Sequence, residues 1–189
     1  MDKKFDLNRL NVKAIAREGL SLQGQLSLAQ FARLAELALS PVEPALQDAG
    51  QPAQVSWDIQ AELVPVSGGD AQIWMHLKAE VELPMQCQRC MGPVTLPVKA
   101  DASFRFVSDE ATAEAEDDES EEDLLVLTPE LNVLELIEDE LIMSAPIVPK
   151  HEKCPTLVPM SAVDEAFEEA LEAHPNPFAA LGQLKKKPN

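Results

Sequence analysis

The feature that most constrains this chain is a strict alternation of apolar and polar residues over two adjacent runs. In VSWDIQAEL, Val55, Trp57, Ile59, Ala61 and Leu63 alternate with Ser56, Asp58, Gln60 and Glu62. In AQIWMHLKAEVEL, Ala71, Ile73, Met75, Leu77, Ala79, Val81 and Leu83 alternate with Gln72, Trp74, His76, Lys78, Glu80 and Glu82. Successive side chains of a strand point to opposite faces, so each run predicts a strand with one buried and one wet face. SGGD lies between them, a turn of residues that tolerate positive φ, and the pair predicts an antiparallel hairpin. A third run alternates Leu96, Val98, Ala100, Ala102, Phe104 and Phe106 with polar residues and Pro97. Proline has no N–H to give to a ladder, so this strand is expected to start at an edge or bulge.

Helical signals flank the strands. A short helix is expected near Asp6 to Arg17. SLAQFARLAELAL predicts another, with Ser27 as cap, Gln30 completing a capping box, and Leu28, Phe31, Leu34, Ala35 and Ala38 on one face. Pro41 and Pro44 end it. In NVLELIEDELIMSAP, Asn132 caps, Glu135 sits three residues on, and Leu134, Ile137, Leu141 and Ala145 form the apolar stripe before Pro146. Glu135, Glu138 and Asp139 read as the wet surface of that helix. LLVLTPEL offers a further strand for the sheet.

Charge sets the next limits. The net charge is −18, and ten of the 33 acidic residues fall between Asp109 and Asp123. Such a run cannot bury a core and reads as a solvated, disordered loop at about 108–123. Outside that tract the net charge is still −8. Nucleic-acid affinity comes largely from lysine and arginine displacing counterions, so broad non-specific binding is disfavoured and basic partners suit the chain better. At the far end Asn176 and Pro177 open a short helix that ends in Lys185, Lys186 and Lys187, cations that suit a helix C-terminus or a phosphate. The expected architecture is α+β: an antiparallel sheet of three or more strands in a meander with packed helices. It forms one domain over 1–160, and a helical extension with a basic end covers 161–189. No apolar run is long enough to span a bilayer, and the first residues lack the apolar core of a secretion signal, which points to a cytoplasmic protein.

MQCQRCMGPV falls between the second and third strands. Cys87 and Cys90 have the spacing of half a zinc site, and His151 with Cys154 in KHEKCP supply a second half. The alternative is that Cys87 continues the inward alternation as a small core residue and Cys90 is incidental. A thioredoxin-like role would place the pair at a helix N-terminus beside a βαβ unit, which this context does not offer. There is no P-loop, no GxGxxG and no GxSxG, and neither His76 nor His174 has a nucleophile and base around it, so no enzyme is indicated.

The elements together resemble a known family. CQRCMGPV after an alternating hairpin, VLELIEDELIMSAPIVPKHEKC downstream and NPFAALGQLKKK at the end are similar to the YceD proteins, the large ribosomal RNA subunit accumulation proteins of bacteria and plastids. The resemblance implies a non-enzymatic factor for the synthesis, processing or stability of large-subunit (23S) ribosomal RNA. It acts on that RNA or the pre-ribosomal particle, directly or through a basic ribosomal protein. Arg89, Lys99, Arg105 and the terminal lysines are the candidate contacts, and Arg89 leads because its planar fork suits phosphate. Two other readings stay open: an acidic chaperone or adaptor for a basic ribosomal protein, and a zinc-dependent RNA-processing enzyme.

Overall fold

The computed structural model describes residues 5–38, 53–156 and Phe167. By internal contacts the chain forms two units, Met1–Lys153 and Cys154–Asn189. Within the first unit the elements run α1 (Val12–Glu18), β1 (Ser21–Ser27), α2 (Ala32–Leu37), β2 (Gln54–Val64), β3 (Gln72–Gln86), β4 (Pro93–Val107), α3 (Glu110–Glu116), β5 (Asp123–Val126) and α4 (Val133–Ser144). The five strands form one sheet in sequence order. The first four pair antiparallel, and β5 joins β4 in parallel. The α+β class with an antiparallel meander and packed helices therefore holds. The helix-ending prolines Pro41 and Pro44, the C-terminal helix around Pro177 and Lys185, Lys186 and Lys187 lie outside the described residues. Phe167, within the helical extension expected over 161–189, is helical and exposed.

The alternation does what it predicts. In β3 every second residue from Ile73 to Met85 is buried, and Val98, Ala100, Phe104 and Phe106 face the same core from β4. α1 contributes Val12, Ile15 and Ala16, α2 contributes Leu34, and α4 contributes Val133, Ile137 and Leu141. Burial of each large side chain is worth about 1.5–3 kcal/mol. The other face of the sheet stays wet and carries ladders of opposite charge, Lys78 with Asp101 at 3.4 Å and Lys99 with Glu80 at 2.7 Å. Pro97 lies inside β4, not at its start, paired with Glu82. Its other side is a local edge, because β5 reaches only Phe104–Val107.

Three elements differ from expectation. The first helix starts later, at Val12, because the Asn11 side chain accepts from the Ala14 N–H and caps it there. The helix expected from Ser27 is broken. Ser27 caps only a single 3-10 turn, Phe31 turns out at φ −110°, and α2 is six residues long. Ahead of it, SLQGQLS forms β1, which Gly24 makes possible. The Trp57 indole lies over Gly24, and a Cβ there would stand 2.7 Å from Cζ2. Gly24→Ala is therefore expected to cost about 1–3 kcal/mol through overpacking, read as a lower denaturant midpoint at unchanged m-value. An unchanged midpoint would show that the indole swings aside freely.

The acidic tract is the third difference. It is not a structureless loop: it holds α3, a 3-10 turn and the start of β5. Three alanines favour the helix, and Asp109 caps it by accepting from the Thr112 N–H at 2.9 Å. The Ser108 hydroxyl, then the Thr112 N–H and hydroxyl, hold the Asp109 carboxyl below the usual carboxylate range. None of the residues of α3 or the 3-10 turn is buried, so the solvated character expected of the tract is kept.

Candidate metal centre

The β3–β4 hairpin ends in the loop 87–92. Cys87 completes the inward alternation of Leu83 and Met85 and is fully buried. The loop turns tightly. The Cys87 N–H donates to the Gly92 carbonyl at 2.9 Å, the Met91 N–H donates to the Cys87 carbonyl at 2.8 Å, and Met91 takes φ 59°. A second segment meets it. After α4, the residues Ala145–Pro149 leave the helix, and the buried Pro149 carbonyl accepts from the Gln88 N–H at 2.8 Å. This contact sets His151 beside the loop.

Four donor atoms converge there. The sulfurs of Cys87, Cys90 and Cys154 and a ring nitrogen of His151 all lie within 4.8 Å of one another. Cys90 Sγ is 3.4 Å from His151 Nδ1. A tetrahedron built on Zn–S bonds of about 2.3 Å has edges of about 3.8 Å, so small side-chain rotations would close the set on an ion. Burial pushes the Cys87 thiol up. Hydrogen bonds from the backbone N–H groups of Cys90, His151 and Arg89, and from the His151 side chain, outweigh it and bring the thiol down to about 5. The thiolate is the form that binds metal. Cys87 is thus buried just beyond the end of β3, and its sulfur also belongs to the cluster, in which Cys90 stands beside His151.

Arg89 has a different place from the one its charge suggests. Its Nη2 donates to the carbonyls of His151 at 2.8 Å and Glu152 at 3.3 Å, clamping the two segments together. Lys99 pairs with Glu80 on the wet face, and Arg105, with only 12% of its side chain exposed, donates to Glu116 at 2.7 Å. The three candidate contacts stand at three levels of the hairpin and form no patch. Glu138 was missed. It is buried, accepts from the N–H groups of Arg33 at 2.7 Å and Leu34 at 3.1 Å, and pairs with the Arg33 guanidinium at 3.0 Å. A glutamate on an amphipathic helix reads as surface, and only its place within a turn of the buried Ile137 and Leu141 hinted otherwise.

The fold and this cluster define an α+β protein whose longest hairpin carries a thiol and imidazole donor set at its tip. The family model described as large ribosomal RNA subunit accumulation protein YceD matches residues 75–185, and the chain belongs to that family. A curated protein of Haemophilus influenzae with the same description is 30% identical over 118 residues, which is 60% of this chain and 66% of that relative. The matched stretch is thus just under two thirds of that relative's length. No solved structure matches. Among the described residues no helix is long and apolar enough to cross a membrane.

Proposed function

We propose that this protein is a non-enzymatic factor of ribosome biogenesis that supports the synthesis, processing or stability of 23S ribosomal RNA in the cytoplasm. It works on the large-subunit RNA or the pre-ribosomal particle, directly or through a basic ribosomal protein. The observation that carries the reading is the family match over 75–185, which takes in the cysteine loop, α4 and the chain beyond it. The family's description speaks of accumulation of an RNA and names no reaction.

The cluster is assigned to a structural zinc ion held by Cys87, Cys90, His151 and Cys154. Three thiolates and an imidazole are the soft donors zinc prefers, and four protein donors complete a tetrahedron. A catalytic zinc keeps one position for water or substrate, so the same donor set argues against the zinc-dependent RNA-processing enzyme. Zinc here would hold the hairpin tip to the segment after α4. Arg89→Ala leaves the donors in place but removes the clamp on the His151 and Glu152 carbonyls. It is expected to weaken zinc retention about tenfold or more, measured by competition with a chromogenic chelator. Retention equal to wild type would make the clamp dispensable.

The adaptor reading has one observation in its favour: Arg89, Lys99 and Arg105 are engaged by groups of their own chain. The test is to deplete the protein in cells and measure the ratio of 23S to 16S ribosomal RNA. Crosslinking with sequencing of attached RNA follows on the complemented strain. A fall in the ratio restored by the wild-type chain supports the proposal, and an unchanged ratio sinks it. Crosslinks to a basic protein alone, with the ratio lowered, select the adaptor.

A further inference from the structure

We propose that the groove along the outer side of α4 is a docking site for a basic amphipathic helix of a partner protein. Two depressions share Leu37 and Ile142 in their walls and so lie side by side. The first has a volume of about 730 Å³ and an apolar floor that includes Phe104, Leu125 and Met143. The second continues past Ala145 and Pro146 to Pro149. Apolar side chains stand open along this path: Leu37 is 41% exposed, Met143 69% and Ile147 98%. A continuous apolar surface with a polar rim marks a protein-binding site on an otherwise soluble fold.

The rim identifies the occupant. Asp123, Asp139 and Glu140 line the first depression, against one guanidinium, that of Arg33. That guanidinium is already committed to Glu138 and Asp139, at 3.0 and 2.6 Å. Burial, then the charges of Asp123 and Asp139, push the Glu140 carboxyl up. Lysine or arginine facing Asp123 and Glu140, with leucine-like anchors one helical turn apart facing the floor, satisfies both features, which is the helix-in-groove mode. An RNA strand brings phosphate to a negative rim. A second copy of this chain brings the same negative rim against itself. The proposal does not rest on the RNA reading, because a protein helix can seat here whatever the protein does to RNA.

The experiment uses the purified full chain and a fluorescein-labelled helical peptide of leucine and lysine about five turns long, with leucines on one face. A peptide of the same composition with the leucines scattered serves as control. Polarisation is expected to show saturable binding of the first peptide and weak binding of the second. Met143→Ser, at an exposed position that should not disturb folding, is expected to weaken binding about tenfold by removing an apolar contact. The double variant Asp123→Asn, Glu140→Gln is expected to weaken it and to flatten its salt dependence. The wet-face double variant Asp58→Asn, Asp101→Asn is expected to leave it unchanged. Equal binding of the two peptides, or an equal loss in the wet-face variant, would reduce the effect to net charge and overturn the proposal. So would a dimer in sedimentation that Met143→Ser dissolves, since the groove's occupant would then be a second copy. A lowered 23S ratio on depletion bears on the function alone and leaves this test standing.

Discussion

Replacing Cys87 and Cys90 together by serine is expected to abolish metal binding. The wild-type chain, purified under reducing conditions without affinity metal, is expected to carry about one zinc per molecule, and the double variant none. Structural zinc contributes apparent binding free energies of about 10–16 kcal/mol in small zinc-finger peptides at neutral pH. Here the sheet and its helical layer provide a separate core, so the loss is expected to be local. Amides of 87–92 and 150–154 should exchange fast, while those of the β2–β3 ladder stay protected. The same pattern should follow chelation of the wild type. Metal-free wild-type protein with a protected loop would show that hydrogen bonds alone hold the tip, and the zinc assignment would fall.

The second large effect is expected at Glu138. Its carboxylate accepts two N–H groups at the start of α2 and holds the Arg33 guanidinium. Glu138→Ala leaves the buried Leu34 N–H and part of Arg33 without a partner, at a cost of about 2–4 kcal/mol. Glu138→Gln keeps an acceptor for the two N–H groups and should cost about half as much. Asp139→Asn provides the contrast. It also touches Arg33, at 2.6 Å, but both side chains are more than two-fifths exposed, so the loss should stay under about 1 kcal/mol. Chemical denaturation of the three variants separates a cap from a surface ion pair. Equal midpoints for Glu138→Ala and Asp139→Asn would remove Glu138 from the list of structural residues.

Strands were the legible part of this fold because period two is a local property, written into each run. β1 was hidden because three of its seven residues are glycine and glutamine, and the indole over its Gly24 is supplied by β2. The helix at Asn132 was legible through its cap, with the Glu135 N–H donating to Asn132 Oδ1 at 3.2 Å. The four donors were legible by spacing, but their meeting depends on the turn at Ala145–Pro149, which nothing local announces. Arg89 shows the opposite limit. Its charge suggested phosphate, while its partners are two carbonyls 62 and 63 residues away. Lys99 and Arg105 likewise found carboxylates that sequence proximity could not assign. The acidic tract was read correctly for exposure and wrongly for order, because a single cap and an arginine beneath it suffice to shape a charged segment.

That tract has a consequence for how the sheet meets other chains. A sheet is open at both rims, and an open rim can recruit a foreign strand. One rim here is β5, only four residues long, and the carboxylates of 109–123 precede it directly. A strand approaching that rim at neutral pH meets a concentrated negative field before it meets any vacant amide. The crossover that builds the last strand therefore also shields it, and the shield is electrostatic. Raised ionic strength would screen that field and let a foreign strand come closer to the short rim.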